Sequence, residues 1–448
     1  MIRDSKDTIA AVATAPGRGG IGIVRVSGSK LDAFAETLTG RQLVSRVATL
    51  ATFRDATGAV IDEGIAILFR GPSSYTGEDV VELHGHGGQV ITNMVLRRCM
   101  ELGARLAEPG EFTYRAYLND KLDLAQAESV ADVIEATTET AARSAMRSLQ
   151  GEFSSRVHLL VGALIELRTL VEATLDFPEE EIGAEHHMLA VDRLPELKAM
   201  LLQVLESSRQ GSILRNGLQV VLAGQPNVGK SSLMNCLTGE NLAIVTAIPG
   251  TTRDTVRQGI HIDGVPIYVI DTAGLRTPAD EVEAIGIERT WDAISKADLM
   301  LLIVDSREGV TDLDRSIAEK LSSGLKVLTV HNKSDLLEEG LPPHTPEGSH
   351  PLLVSAKSGD GIEGLKKAIL DHAGWHPGSE GTWMARERQI LALSRAMNYL
   401  ERAESVVSHL ELFAEELRLA QEALGEITGE FLADDLLGEI FSRFCIGK

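Results

Sequence analysis

The chain has 448 residues, of which 44% are hydrophobic, 24% charged and 4% aromatic, and its 43 basic against 65 acidic side chains give a formal net charge of −22. That length suits about three domains of an ordinary soluble protein. The acidity excludes a uniformly basic nucleic-acid binder and a protein held to anionic membranes by charge alone. Three cysteines, Cys99, Cys236 and Cys445, are too few for a disulfide framework and suit a reducing compartment.

In chain order, Met1–Gly20 carries Arg3, Asp4, Lys6 and Asp7 before a short apolar run broken at Pro16-Gly17, which is unlike an export signal. The longest uninterrupted apolar run, Leu299–Val304, is far below the ~20 residues of a membrane span. A cytoplasmic protein without membrane contact is therefore expected. Residues 1–118 alternate short β-branched runs (Ile21–Val26, Ile65–Phe69, Val80–Leu83) with Gly-rich turns, an α+β texture.

From Asp120 the pattern turns helical. Ala125, Ile134, Ala141 and Leu149 recur along one stretch, and Leu159, Leu164, Leu167 and Val171 continue another from Gly151 to Pro178. A third stretch runs from Leu194 to Ser208. Residues 215–376 alternate apolar strands with helical segments, as parallel βαβ units do, with a surface loop at Glu338–Gly348. Ala385–Ala423 reads as one long helix with Ile390, Met397, Leu400, Val407, Leu410 and Leu417 on its apolar side. The helical regions 120–214 and 377–448 flank the α/β segment, and each has an apolar stripe with too few partners of its own. The economical arrangement packs them together with the α/β domain inserted between; the alternative is two separate helical linkers. Charge follows the same divisions: net −1 for residues 1–120, −8 for 121–214, −7 for 215–376 and −6 for 377–448.

The α/β segment opens on a buried-strand pattern, Leu218–Ala223, that runs into Gly224-Gln-Pro-Asn-Val-Gly-Lys-Ser231. This is the phosphate-binding G-x-x-x-x-G-K-S in its strand–loop–helix context, with Lys230 expected at the β/γ-phosphates and Ser231 on Mg²⁺. Asn227, Val228, Gly229 and Ser232 complete its expected nucleotide contacts. A second strand ends in Asp271-Thr272-Ala273-Gly274, a D-x-x-G that puts Asp271 near Mg²⁺ and the Gly274 amide near the γ-phosphate. A third ends in Asn332-Lys333-Ser334-Asp335. A carboxylate at Asp335 can accept from N1–H and N2–H₂ of guanine, two donors that adenine lacks, so the motif selects GTP over ATP. Ser355, Ala356 and Lys357 close the base pocket.

Between the first two motifs lies Thr246-Ala247-Ile248-Pro249-Gly250-Thr251-Thr252, a Gly/Thr-rich switch in which Thr252 is positioned to complete the Mg²⁺ shell. Leu275 stands where many GTPases carry a water-orienting glutamine. Catalytic help must come from another residue, a monovalent cation or a partner, with Arg276, Glu281 and Glu283 as candidates within the second switch.

These motifs, together with Ala15–Arg25, Tyr75–Glu82, His84–Gly88, Pro109–Phe112, Asn119–Glu128 and the ending Cys445-Ile-Gly-Lys448, closely resemble the MnmE (TrmE) family of tRNA-modification GTPases along the whole chain. The resemblance implies a multidomain α/β protein: an N-terminal α+β folate-binding domain (1–119), a discontinuous helical domain (120–214 and 377–448) and an inserted Ras-like P-loop GTPase domain (215–376). It implies a homodimer that joins the FAD-dependent MnmG protein in a heterotetramer. Together the two add an aminomethyl or carboxymethylaminomethyl group to C5 of the wobble uridine of certain tRNAs. The one-carbon unit comes from tetrahydrofolate, in its 5-formyl or methylene form, and Arg25, Glu82, Lys121 and Lys448 match the folate contacts. The resemblance also implies K⁺ in place of an arginine finger, with Asn227, Thr246, Ile248 and Thr251 as its ligands, though Ala247 and Pro249 depart from the usual loop. Glu283 matches the family's water-orienting glutamate; Cys445, which by itself reads as a small buried hydrophobe after Phe441 and Phe444, is given a role at the modification site by the family's C-I-G-K ending. A rival of another class is a regulatory GTPase that contributes no chemistry to the tRNA.

Overall fold

The computed structural model describes residues 7–176, 181–238, 257–271, 297–321, 325–337, 351–375, 382–430, 434–442, 444 and 447. The chain forms two compact units, one drawn from residues 1–134, 147–202 and 391–448, the other from 135–146 and 203–390.

In the first unit, β1 (Ile9–Val12), β2 (Gly22–Gly28), β3 (Thr49–Arg54), β4 (Val60–Phe69), β5 (Asp79–Gly85) and β6 (Arg105–Leu106) form one sheet in the order β3-β4-β5-β2-β1-β6. Every pairing is antiparallel except that of β1 with β6. Alternation along β2 sends Val24 and Val26 to one face, where they join Leu31, Phe53, Leu68 and Leu83 with Val95 and Cys99 of the helix Gln89–Glu101. Fully burying one such side chain stabilises the fold by roughly 1.5–3 kcal/mol. Burial also pushes the Cys99 thiol up to about 12, so it acts as a small hydrophobe. The period of two turns Arg25 to the opposite face, and the β2–β5 register sets it directly across from Glu82.

On that opposite face Ile9, Ala11, Ala107 and Phe112 form a smaller core under Tyr75. The helix Glu111–Leu118 covers it and brings in two buried charges. Arg115 donates to Glu111 at 3.0 Å and to Glu78 at 2.9 Å, and Arg105 adds a 2.7 Å contact to Glu111. Further along, the helices Glu152–Asp176 and Leu410–Thr428 pack along each other, with Leu164, Leu167, Val171, Phe413, Leu417 and Leu424 buried. Arg168 donates to Gln421 between them at 2.6 Å. The helix Asp434–Ser442 seats Phe441 against Leu124, Tyr114 and Tyr117, and Phe444, two residues beyond the helix, joins the same cluster.

In the second unit, β7 (Leu218–Ala223), β8 (Arg257–Ile262), β9 (Val265–Asp271), β10 (Leu299–Asp305), β11 (Lys326–Asn332) and β12 (Leu352–Leu353) are ordered β12-β11-β10-β7-β9-β8. All pair in parallel except β8, which is antiparallel to β9. β10 is buried at every residue, as a central strand covered on both faces must be. The helices Lys230–Thr238, Asp312–Leu321 and Ile362–His372 belong to this unit. β7, β10 and β11 all end at the same edge of the sheet, where open parallel sheets bind ligands.

The helical regions differ from the sequence pattern in three places. The stretch expected at Leu194–Ser208 is a helix from Glu181 to Asn216 that continues through Pro195. Burial of Ala190, Leu194, Leu197 and Leu201 on one stripe offsets the hydrogen bond the proline removes. The single helix expected over Ala385–Ala423 is two, Glu387–Ser405 and Leu410–Thr428. Short turns interrupt it, with Val406 N donating to Ala403 O and His409 N to Val406 O, and neither glycine nor proline marks the break. The stretch from Ala125 to Leu149 is likewise two helices, Leu124–Glu135 and Glu139–Leu149. The Thr138 hydroxyl accepts from Ala141 N at 3.0 Å and so caps the start of the second.

Candidate functional site

β7 delivers the chain into Gly224, and the segment to Gly229 curls back on itself. Gly224, Asn227 and Gly229 have φ of +141°, +64° and +98°, values that side chains other than those of glycine and asparagine rarely tolerate. A Cβ on Gly224 would run into the Ile303 carbonyl, and one on Gly229 into Asn332 Nδ2. Both glycines are needed for conformation and for space. Leu233 N donates to Gly229 O at 2.8 Å as the helix Lys230–Thr238 begins, so this helix N-terminus opens directly on the loop. Lys230 Nζ lies within the curve, donating to the carbonyls of Gly224 and Gln225 at 2.8 Å each. A positive helix end and an ammonium at a glycine-rich turn together fit a phosphate chain. Ser231 and Ser232 are exposed in the helix's first turn, and Asn227 and Val228 lie on the loop itself.

The base side is built from the ends of β10, β11 and β12. Asn332 is buried at the end of β11; its Nδ2 donates to Val228 O at 2.8 Å and its Oδ1 accepts from Ala356 N at 3.1 Å. One side chain thus ties the phosphate loop to the Ser355–Ala356 turn. Ser355 Oγ donates to Asp335 Oδ1 at 2.7 Å, which orients an otherwise exposed carboxylate. Lys357 is exposed at the rim. Lys333 has φ +66° and donates from Nζ to Asp305 Oδ2 at 2.9 Å. Arg307 also grips Asp305, from Nη2 at 2.7 Å and Nε at 3.0 Å. Those Arg307 bonds, opposed by burial and aided by Lys333, hold the Asp305 carboxyl well below the usual carboxylate range.

Asp271 ends β9, in register with Leu222 of β7. Thr246, Ala247, Ile248, Pro249, Gly250, Thr251, Thr252, Thr272, Ala273, Gly274 and Glu283 lie outside the described residues, as do Cys445 and Lys448. Two supports of the site carry no motif signal. Gln225 Nε2 donates to Thr311 Oγ1 at 2.8 Å and to Asp314 Oδ2 at 2.9 Å, bracing the loop against the helix Asp312–Leu321. Asp305 and Arg307 form the other, and only the ending of an apolar strand in a carboxylate could have drawn attention to them.

A second constellation lies in the first unit. Arg25 pairs with Glu82 Oε1 at 2.8 Å, and His84 Nε2 lies 3.1 Å from the other oxygen of that carboxylate. The Arg25 guanidinium also stacks over Tyr75 and Phe112, 5.5 and 5.8 Å from their ring centroids, and donates to Gly447 O at 3.3 Å. Gly447 has φ +101°, and a Cβ there would meet the Val12 carbonyl, so only glycine brings the C-terminal segment this close to β1. Lys121 lines a different cavity of about 590 Å³, with Tyr117, His158 and Glu430 among its walls. The structure thus brings Arg25 and Glu82 together and leaves Lys121 on a separate concavity.

Two family models match the chain: that of the MnmE helical domain at residues 124–445, and that of the GTP-binding protein TrmE N-terminus at residues 8–121. The tRNA modification GTPase MnmE of Nitrosomonas europaea is 59% identical over 451 residues, spanning 99% of this chain and 100% of its own. The protein of the same name from Chromobacterium violaceum is 59% identical over 98% of each chain. That of Neisseria meningitidis is 56% identical over 99% of this chain and 100% of its own. With a guanine-type nucleotide pocket in one unit and these matches along nearly its full length, the chain belongs to the MnmE family of tRNA modification GTPases.

Proposed function

We propose that this chain is a K⁺-stimulated GTP hydrolase. With a flavin-dependent partner of the MnmG type, it adds an aminomethyl or carboxymethylaminomethyl group to C5 of the wobble uridine of certain tRNAs. A tetrahydrofolate derivative in the 5-formyl or methylene form supplies the carbon. The working form is a cytoplasmic homodimer that assembles with the partner into a heterotetramer. Residues 1–119 serve folate binding and dimerisation, 120–214 and 377–448 form the helical frame, and 215–376 form the GTPase domain.

The observation that carries this reading is the bridge made by Asn332 from Val228 O to Ala356 N, beside an Asp335 carboxylate held by Ser355. Asp335 is free to accept from the two donors on the guanine edge. The Gly224–Gly229 loop can keep its phosphate-type curve because neither glycine carries a Cβ, which would strike the Ile303 carbonyl at Gly224 and Asn332 Nδ2 at Gly229. The Ser231 hydroxyl, at the first turn of the helix, suits Mg²⁺, with Thr252 as its second protein ligand and Asp271 close by. The Asn227 side-chain carbonyl, on an exposed residue of the loop, is a hard oxygen that suits K⁺. Thr246, Ile248 and Thr251 complete that set, and Glu283 orients the attacking water. A monovalent cation held there would supply positive charge where negative charge develops on the phosphate oxygens.

In the first unit, Glu82 can accept from the amide and amino groups of a pterin, while Arg25 and Lys448 offer cations to the glutamate tail; Lys121, which lines its own concavity, would meet a different part of the folate. The Gly447 contact with Arg25 supports a role for the C-terminal segment, Cys445 included, at that site. The test is reconstitution with tRNA, the flavoprotein, GTP, a reduced folate and an amine, followed by mass analysis of the nucleosides. A C5-modified uridine that depends on this chain and on the folate is expected. GTP turnover without any modified uridine would leave a regulatory GTPase instead.

A further inference from the structure

The turn that follows β10 holds two consecutive residues of the guanine motif. Ser306 donates to Asn332 O from its backbone N–H at 2.8 Å and from its hydroxyl at 2.6 Å. Asp305, 7% exposed, sits across from Asn332 in the β10–β11 register and takes the Lys333 ammonium at 2.9 Å. Arg307, half of whose side chain is exposed, closes on the same carboxylate and keeps its second oxygen satisfied. Lys333 itself has left-handed backbone, so its side chain leaves the strand end in a direction that an ordinary β residue would not take.

We propose that Asp305 is a positioning residue for the nucleotide base, acting through Lys333. A free lysine samples many rotamers, and a base that packs against its stem must freeze them on binding. With the ammonium tethered to Asp305, the four methylenes form a fixed apolar rail beside Asp335. A planar base can lie on that rail while Asp335 reads its edge. Lys333 supplies the surface, Asp305 fixes it, and Arg307 keeps Asp305 ionised. A rail of methylenes meets the face of any purine, so its loss should weaken GDP and IDP equally. Asp335 reads the edge, and its loss should weaken GDP more than IDP because the 2-amino group is absent from IDP.

This inference rests on the reading of Asp335 as the guanine acceptor, and calorimetry on the full-length protein separates the two. If the wild-type chain bound ADP as tightly as GDP, the guanine reading would fail first. Given that preference, Asp305→Asn is expected to raise the Kd of GDP and of IDP by the same factor, roughly tenfold for loss of a charged hydrogen bond. KM for GTP should rise with kcat unchanged. In a Lys333→Met background, where the stem remains and the ammonium is gone, Asp305→Asn is expected to change the Kd less than twofold. A full tenfold loss in that background, or an unchanged Kd in Asp305→Asn alone, overturns the proposal. Should Asp305→Asn not fold, Lys333→Met by itself decides: a tenfold weaker GDP Kd supports the tether and a wild-type Kd overturns it.

Discussion

Asn332 Nδ2 donates to the carbonyl of Val228, 104 residues earlier in the chain, across 2.8 Å. The base motif and the phosphate loop are therefore one rigid object, and the same side chain takes the Ala356 amide into it. Replacing Asn332 by alanine strands a buried carbonyl and an amide, each costing about 1–3 kcal/mol when unpaired. Asn332→Ala should lose about 2 kcal/mol or more in urea denaturation and bind a fluorescent GDP analogue at least tenfold more weakly. A wild-type Kd would show that the bridge is not what shapes the pocket.

Gly229 faces the same asparagine. Its φ of +98° and the absence of room for a Cβ beside Asn332 Nδ2 make Gly229→Ala a double fault. Backbone strain of this kind costs about 1–3 kcal/mol. The variant should lose GTP binding, measured by calorimetry, and leave the proposed reduced-folate binding unchanged, because the Arg25–Glu82 pair belongs to the other unit.

The Arg25–Glu82 pair makes a separate prediction. Glu82→Gln should leave the sheet intact, since the residue's backbone pairing is unchanged, yet weaken 5-formyltetrahydrofolate binding at least tenfold. Arg25→Ala should do the same and in addition release the C-terminal segment, because Gly447 O loses its donor. Faster carboxypeptidase trimming of Arg25→Ala than of Glu82→Gln would report that release; equal trimming rates would mean Arg25 does not anchor the segment.

Acid sensitivity should originate at Glu111. Burial raises its carboxyl, but hydrogen bonds from Arg105, from Glu108 N and from Arg115 outweigh this and leave it below its usual value of 4.5. A depressed native pKa means that the stabilisation is complete above pH 4.5 and is lost as pH falls through the lower native value. Glu111→Gln should flatten that acid limb in denaturation curves taken from pH 6 down to ~3. Arg115→Leu, which leaves the fully buried carboxylate with one cation fewer, should cost about 3–5 kcal/mol at neutral pH. An unchanged acid limb in Glu111→Gln would locate the sensitivity elsewhere.

Hydrolysis should be faster in KCl than in NaCl at equal ionic strength, and Asn227→Ala should remove the difference. Glu283→Ala should reduce turnover about a hundredfold or more, the scale of a lost acid–base or water-orienting group, with GTP affinity nearly unchanged. Phosphate release in the two salts measures both, and normal turnover of Glu283→Ala would remove that residue from the mechanism.

Much of the second unit was legible because its chemistry is local. The strand expected at Leu218–Ala223 is β7, and Lys230 enters the loop's curve as G-x-x-x-x-G-K-S requires. Helix limits were less legible. A period of 3.6 continues unbroken from Leu400 to Leu417 although the helix stops at Ser405, since Val406–His409 contains no residue that forbids a helix. Thr138 was a cap hidden inside a continuous pattern for the same reason.

The amino-acid sequence alone determined the phosphate loop, the guanine motif and the family, because these functions use backbone groups and short-range spacing that survive in any correctly folded strand–loop–helix. Only the tertiary structure decided that Arg25 meets Glu82, 57 residues away, and Gly447, 422 residues away. The same holds for Asp305 on Lys333 and Gln225 on Asp314. Such partners are chosen by strand register and by which loops a shared sheet edge collects. Neither leaves a mark in composition or periodicity, because an ion pair needs only two charges that the fold brings within 3 Å or so of each other.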